Sequence, residues 1–192
     1  MNDHKGFFAM MARMKYIERW ALMRNSVSEN ICEHSLEVAM LAHGLGIIGR
    51  KRFGKDLSPE RLAMLGMYHD CTEIITGDMP TPVKYANDEL KEAYKAIEDS
   101  AAHRLLEMLP EDLRAEYESY FLPEQITPEE YRYVKAAALI KCIEEEKTGN
   151  QEFRSAKQAT YESLQQMNMP EVTVFCEVFL PEYYKTLDEL EH

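Results

Sequence analysis

The run Ser58-Pro59-Glu60-Arg61-Leu62-Ala63-Met64-Leu65-Gly66-Met67-Tyr68-His69-Asp70-Cys71-Thr72-Glu73-Ile74-Ile75-Thr76-Gly77 opens and closes as a helix does. Serine caps, proline is tolerated at the first helical position, and glycine stands just past the end. The expected helix runs from Pro59 to about Ile75, and near its end sit His69 and Asp70. Adjacent helical residues point about 100° apart, so two of them can still grip one ion lying over the groove between their faces. Glu73, four residues after His69, projects from the same face. One histidine, one carboxylate and a second carboxylate a turn away suit metal-assisted hydrolysis. The first two would ligate and the third would handle a proton or position a water.

Working outward, nearly every segment reads as helix. Residues 5–18 place Phe7, Phe8, Met11, Met14 and Ile17 at spacings of three to four, which predicts an amphipathic helix. Residues 19–32 are less regular and read as a loop, and 33–49 as a buried helix. Asp78-Met79-Pro80-Thr81-Pro82 cannot be helical throughout, because each proline restricts the residue before it. Asn87 or Asp88 caps a helix to about Leu109, and Thr127-Pro128-Glu129-Glu130 opens another to about Lys147. Two more are expected over 152–167 and 171–190, the last bent or broken at Pro181. No segment alternates as a strand does. The expected class is all-α, a compact helical bundle forming a single domain over 1–192.

The chain has 192 residues, 45% hydrophobic and 29% charged, the balance of an ordinary globular domain. No apolar run looks long enough to cross a bilayer, and Met1-Asn2-Asp3-His4-Lys5 does not open a signal peptide. Cys32, Cys71, Cys142 and Cys176 lie far apart, which argues against a disulfide framework and a thiolate zinc site. Reduced thiols in a cytoplasmic protein are expected. A net charge of −12 repels nucleic-acid polymers and anionic membranes. A small anionic substrate remains compatible, because a divalent ion with one or two arginines supplies local positive potential.

His34, in Glu33-His34-Ser35, is the natural partner of His69 and Asp70. Taken alone, each piece also has an ordinary reading: a His-Asp dipeptide arises by chance, and a histidine opening a helix is often a cap or a core residue. The longer pattern is more specific. It comprises Glu18-Arg19-Trp20, Leu22-Met23-Arg24-Asn25, Glu29-Asn30 and Glu33 through Ala39. Met67-Tyr68-His69-Asp70, Glu73, Thr76 through Tyr85, Ile140 through Glu145 and Gly149-Asn150 continue it. In these residues the chain resembles the HD-domain superfamily, and more closely the bacterial 5′-deoxynucleotidases of the YfbR type.

The resemblance implies an enzyme that removes the 5′-phosphate from 2′-deoxynucleoside 5′-monophosphates, and a homodimer. It makes His34, His69 and Asp70 the metal ligands. Nitrogen and carboxylate donors without thiolate suit Co, Mn, Fe, Zn or Cu, and the sequence does not choose among them. Glu73 is the candidate for proton handling, and Arg19 for orienting phosphate with its planar fork of donors. His34 and Asp70 are expected to meet substrate as well. Trp20 is a plausible wall against a ribose 2′-hydroxyl, and Asp78, Met79, Pro80 and Thr81 are expected to line the sugar side, with Asp78 accepting from the 3′-hydroxyl. Arg24 and Lys84 would add positive potential. The final helices carry Val172, Val174, Phe175, Val178, Phe179 and Tyr183, enough apolar surface for a core and a partner.

One departure stands out. The family pattern has a further ligand, an aspartate in Val-Lys-x-Ala-Asp, followed some residues later by Ile-Lys-Cys. This chain reads Val134-Lys135-Ala136-Ala137-Ala138-Leu139-Ile140-Lys141-Cys142, about four residues short and without the aspartate. Four residues are about one turn, so the helix face is kept to within ~40°. If a stretch were instead missing between Ala137 and Ala138, their Cα atoms would lie much farther apart than ~3.8 Å. Glu144 is a possible substitute ligand, though a solvated acid fits Glu144-Glu145-Glu146 better. The loss of a ligand also leaves open a nucleotide-binding protein with weak or no turnover. A different substrate, a nucleoside triphosphate or a cyclic dinucleotide, fits the Arg-Trp and Gly-Asp-Met-Pro-Thr-Pro stretches less well.

Overall fold

A computed structural model describes residues 5–19, 28–84, 86–145 and 153–191, and of residues 81, 82, 144, 145 and 153–159 the backbone alone. Trp20 and Arg24 lie outside the described residues, as do the side chains of Thr81 and Glu144. Among the described residues every regular element is helical, and the only β pairing is an isolated bridge between Glu18 and Asn30. The helices are α1 Phe7–Met11, α2 Ile31–Phe53, α3 Pro59–Tyr68, α4 Glu73–Thr76, α5 Thr81–Lys84, α6 Asp88–Leu106, α7 Glu111–Phe121, α8 Pro128–Glu145, α9 Phe153–Gln166, α10 Pro170–Val178 and α11 Leu187–Leu190. They form two compact units, one of Met1–Leu36 with Met67–Pro128, the other of Glu37–Gly66 with Glu129–His192.

Local chemistry explains the boundaries. Asn30 caps α2 by accepting from the Cys32 and Glu33 amides, and Glu33 reaches back to the Asn30 amide. That reciprocal pair starts the helix two residues before the expected Glu33. Arg50, Lys51 and Arg52 complement the dipole at its other end, and Gly54 leaves it at φ +64°. Ser58 caps α3 through the Arg61 amide, and Asn87 caps α6 through the Leu90 amide at 2.7 Å.

Several expectations need correcting. The 5–18 helix is in fact α1 followed by a separate 3-10 turn, Met14–Tyr16. The helix expected to Ile75 stops at Tyr68, and residues 69–72 form turns before α4 resumes at Glu73. There the backbone changes from i+4 to i+3 bonding, Cys71 to Tyr68, Glu73 to Asp70 and Ile74 to Cys71. α7 occupies a segment that carried no expectation. At the C-terminal end α10 stops at Val178, and Pro181 sits in a 3-10 turn, Leu180–Tyr184. α8 runs unbroken through Ala137 and Ala138.

α2 corrects the view that no segment is long and apolar enough to span a membrane. By length and composition its 23 residues are, but 56% of its most apolar window is buried within the protein, as in a core helix.

The first unit is built around an aromatic cluster. Phe7 meets Tyr117 and Phe121, and the Tyr68 ring lies tilted against Phe121 at 5.0 Å. Ile31, Cys71, Leu105, Leu106 and Leu109 complete it. Two of these bear on the site: Ile31 begins the helix of His34, and Cys71 follows Asp70.

In the second unit, Gly66 lets α3 press on the backbone of α2. A Cβ there would lie 2.9 Å from Ala39 Cα. Deeper in that unit, Glu171 is fully buried with Tyr133. The Tyr133 hydroxyl donates to Glu171 Oε1, and Lys55 Nζ donates to the same oxygen at 2.6 Å.

Candidate metal and phosphate site

The first unit brings His34, His69 and Asp70 together, each offering one ligand atom, all within 4.8 Å of one another. Both imidazole Nε2 atoms lie against the same carboxylate oxygen, Asp70 Oδ2, at 3.5 Å for His34 and 3.0 Å for His69. The two rings are 5.2 Å apart. His69 and Asp70 reach this arrangement from a turn rather than from successive positions of a helix. The tighter winding buries Cys71 in the aromatic cluster and leaves its two predecessors partly accessible.

The electrostatics suit a cation. His34 is 2% exposed. Burial, then the Arg19 and His69 charges, push its pKa down to about 3, so the ring is neutral and its lone pair is free. Its Nδ1 has no hydrogen-bond partner, and Glu29 Oε2 stands 4.0 Å away, an electrostatic neighbour only. Burial works against the Asp70 carboxylate, but His69, His34 and Arg19 outweigh it and hold the group well below the usual range. Two neutral-capable nitrogens and an ionised carboxylate form a donor set that fits a divalent transition metal.

Glu73, at the first position of α4, is 9% exposed, and its Oε2 is buried without a partner. Burial first, then repulsion from Asp70 and Asp78, pushes its pKa up to about 10, against the pull of Arg19 and Lys84. It therefore carries a proton at neutral pH.

Arg19 is brought to the site by backbone pairing. Its amide donates to the Glu29 carbonyl at 2.9 Å, and the Ile31 amide donates to the Ile17 carbonyl. Its guanidinium bonds Glu29 Oε2 at 2.5 Å. Glu29 was legible only as part of a motif. Its place beside both Arg19 and His34 needs the pairing of 17–19 with 29–31, which no local signal announces. Asp78, Met79 and Pro80 form the half-buried link from Gly77 to α5, and Thr81 begins that helix. Lys84, at its end, pairs with Glu98 at 2.8 Å.

The helical order and this cluster define an HD-type phosphohydrolase fold. An HD-domain phosphohydrolase from Listeria innocua superposes with a TM-score of 0.78 at 21% identity, over 96% of this chain and 90% of its own. A cyanophage S-2L HD phosphohydrolase, DatZ, described as bound to dA and one catalytic Zn2+ ion, gives 0.67 at 21% identity, over 91% and 96%. A model of the YfbR-like 5′-deoxynucleotidase family matches residues 6–183, and the chain belongs to that family. A 5′-deoxynucleotidase of Vibrio cholerae is 47% identical over 188 residues, 96% of this chain and 97% of the relative.

Proposed function

We propose that the protein is a metal-dependent 5′-deoxynucleotidase, releasing phosphate from 2′-deoxynucleoside 5′-monophosphates. The observation that carries the reading is the convergence of His34, His69 and Asp70 in a chain of this family. These three hold the ion, which is one of Co, Mn, Fe, Zn or Cu. The zinc of the DatZ structure supports such a metal class. A divalent ion supplies Lewis acidity at phosphorus and favours ionisation of water.

The chain's own residues do the rest. Arg19, steadied by Glu29, orients the phosphate oxygens. Water adds to phosphorus as the bond to the 5′-oxygen breaks. Glu73 gives its proton to that oxygen and regains one from the water. Burial does most to hold this proton, and the repulsion from Asp70 that adds to it is the contribution that ion binding would cancel. Asp78 accepts from the 3′-hydroxyl, Met79, Pro80 and Thr81 belong to the sugar side, and Trp20 is assigned the exclusion of a 2′-hydroxyl. His34 and Asp70 border the substrate as well.

The match over residues 6–183 supports one functional domain made from both compact units. Four free cysteines support a cytoplasmic setting. Val178 and Phe179, exposed at the end of α10, support a homodimer.

α8 has no carboxylate between Glu130 and Glu144, so the ion has one ligand fewer than the family pattern provides. The expected consequence is weak metal retention with activity restored by excess metal. The test is a metal and substrate screen on purified protein with elemental analysis. Release from dAMP and dTMP in excess Co or Mn, with little from AMP, is expected. Nucleotide binding without release in any of the five metals would overturn the reading in favour of a binding protein.

A further inference from the structure

The link from α4 to α5 has two ends, and one side chain of α6 touches both. Tyr94 is 3% exposed. Its hydroxyl lies 3.1 Å from Thr76 Oγ1 and 3.3 Å from the Gly77 carbonyl oxygen. The Thr76 hydroxyl donates to that same carbonyl at 3.0 Å. At the far end, Lys84 Nζ sits 4.6 Å from the centre of the Tyr94 ring. Glu98, one turn along α6 from Tyr94, holds that ammonium in place. Between the two ends lie Asp78, Met79, Pro80 and Thr81.

The geometry at Gly77 shows what such a clamp holds. This residue sits at φ +73° and ψ 161°, and a Cβ there would meet nothing within 4 Å. The Gly77 amide donates to the Glu73 carbonyl at 2.8 Å, and glycine has no side chain of its own to hold the peptide that leads into Asp78. A phenylalanine at 94 would fill the same space in the core. The hydroxyl reaches that peptide by one direct contact and by one through Thr76, whose own hydroxyl donates to the same carbonyl.

We propose that Tyr94 is the positioning residue of the 78–81 link, its hydroxyl fixing the peptide that leads into Asp78 and its ring fixing the Lys84 end. Tyr94 acts through Asp78, and it thereby sets recognition of the sugar 3′-hydroxyl. This rests on the reading above that Asp78 through Thr81 face the sugar.

The test is steady-state phosphate release from dAMP and from 2′,3′-dideoxyadenosine monophosphate, in one metal. The proteins are the wild type, Tyr94→Phe, Thr76→Val, Asp78→Ala and the Tyr94→Phe, Asp78→Ala double variant. Tyr94→Phe should raise KM for dAMP roughly fivefold, the equivalent of one hydrogen bond, with kcat little changed. Thr76→Val, which leaves Tyr94 in place, should do the same. The dideoxy substrate should show little change, and Tyr94→Phe should add nothing in the Asp78→Ala background. An unchanged KM in Tyr94→Phe overturns the proposal. So does a rise that is equal for both substrates and additive with Asp78→Ala. Failure of the wild type to release phosphate from dAMP overturns the deoxynucleotidase reading itself. An active wild type with Asp78→Ala silent on KM overturns the sugar-side assignment and this proposal, leaving the activity standing.

Discussion

In its proposed role as proton donor, Glu73 carries the sharpest conflict between stability and use at a single residue. Its pKa in the folded protein, about 10, lies far above the ordinary 4.5. The unfolded chain therefore releases this proton from about pH 4.5 upward, while the folded chain keeps it to about pH 10. The stability that this group contributes is full below pH 4.5 and is lost steadily as pH rises between the two values. Glu73→Gln removes that loss. In metal-free protein at pH 7 it should raise stability by about 1 kcal/mol or more. The same change should cut phosphate release by roughly 10²–10⁴. Urea unfolding in chelator and turnover in excess metal check the two halves, and a variant that is both less stable and fully active would refute the assignment. At this scale His34, His69, Asp70 and Glu73 were visible in the sequence because their types and spacing suit metal chemistry. Glu29 and Tyr94 were not. Their importance comes from neighbours brought together by the fold, Arg19 for the one and Gly77 for the other.

Among the elements, most helices announced themselves through their caps and their apolar spacing. The break at residues 69–72 did not, because the residues there are acceptable in a helix and only the burial of Cys71 favours tighter winding. α7 was missed for a related reason. It follows Pro110 and carries mostly charged and tyrosine residues, so its apolar face is thin and shows itself only in the contacts of Tyr117 and Phe121 with Phe7. α5 forms across Pro82, which the first turn of a helix tolerates. The glycine before the link is the element-level feature with the clearest cost. Gly77 occupies a backbone region essentially closed to other residues, so Gly77→Ala should destabilise the protein by about 1–3 kcal/mol. Chemical denaturation measures this, and an unchanged midpoint would show that the turn is adopted without strain.

Across the molecule, the two compact units rest on different physics. The first is held by aromatic packing around Phe7 and Phe121. The second encloses a charge. Glu171 accepts from Lys55 and from Tyr133, and its other oxygen has no partner. These contacts outweigh burial and keep the carboxyl below its usual range, so their stabilisation is present above about pH 4.5 and is lost as pH falls through the depressed folded value. Removing the lysine strands the carboxylate. Lys55→Met should cost about 3 kcal/mol at pH 7, and adding Glu171→Leu should recover part of that loss. Thermal melts of the three proteins decide it, and a neutral Lys55→Met would mean that water already serves the buried charge. Position 49 completes this arrangement, because a Cβ there would come within 3.0 Å of both Glu171 Oε1 and the Tyr133 hydroxyl. Positions 49, 55, 133 and 171, from three separate stretches of the chain, are therefore tied in their evolution. A lineage that abandons the lysine should soon abandon the glutamate, while the glycine stays confined by Leu57 Cδ1, which a Cβ there would meet at 2.8 Å.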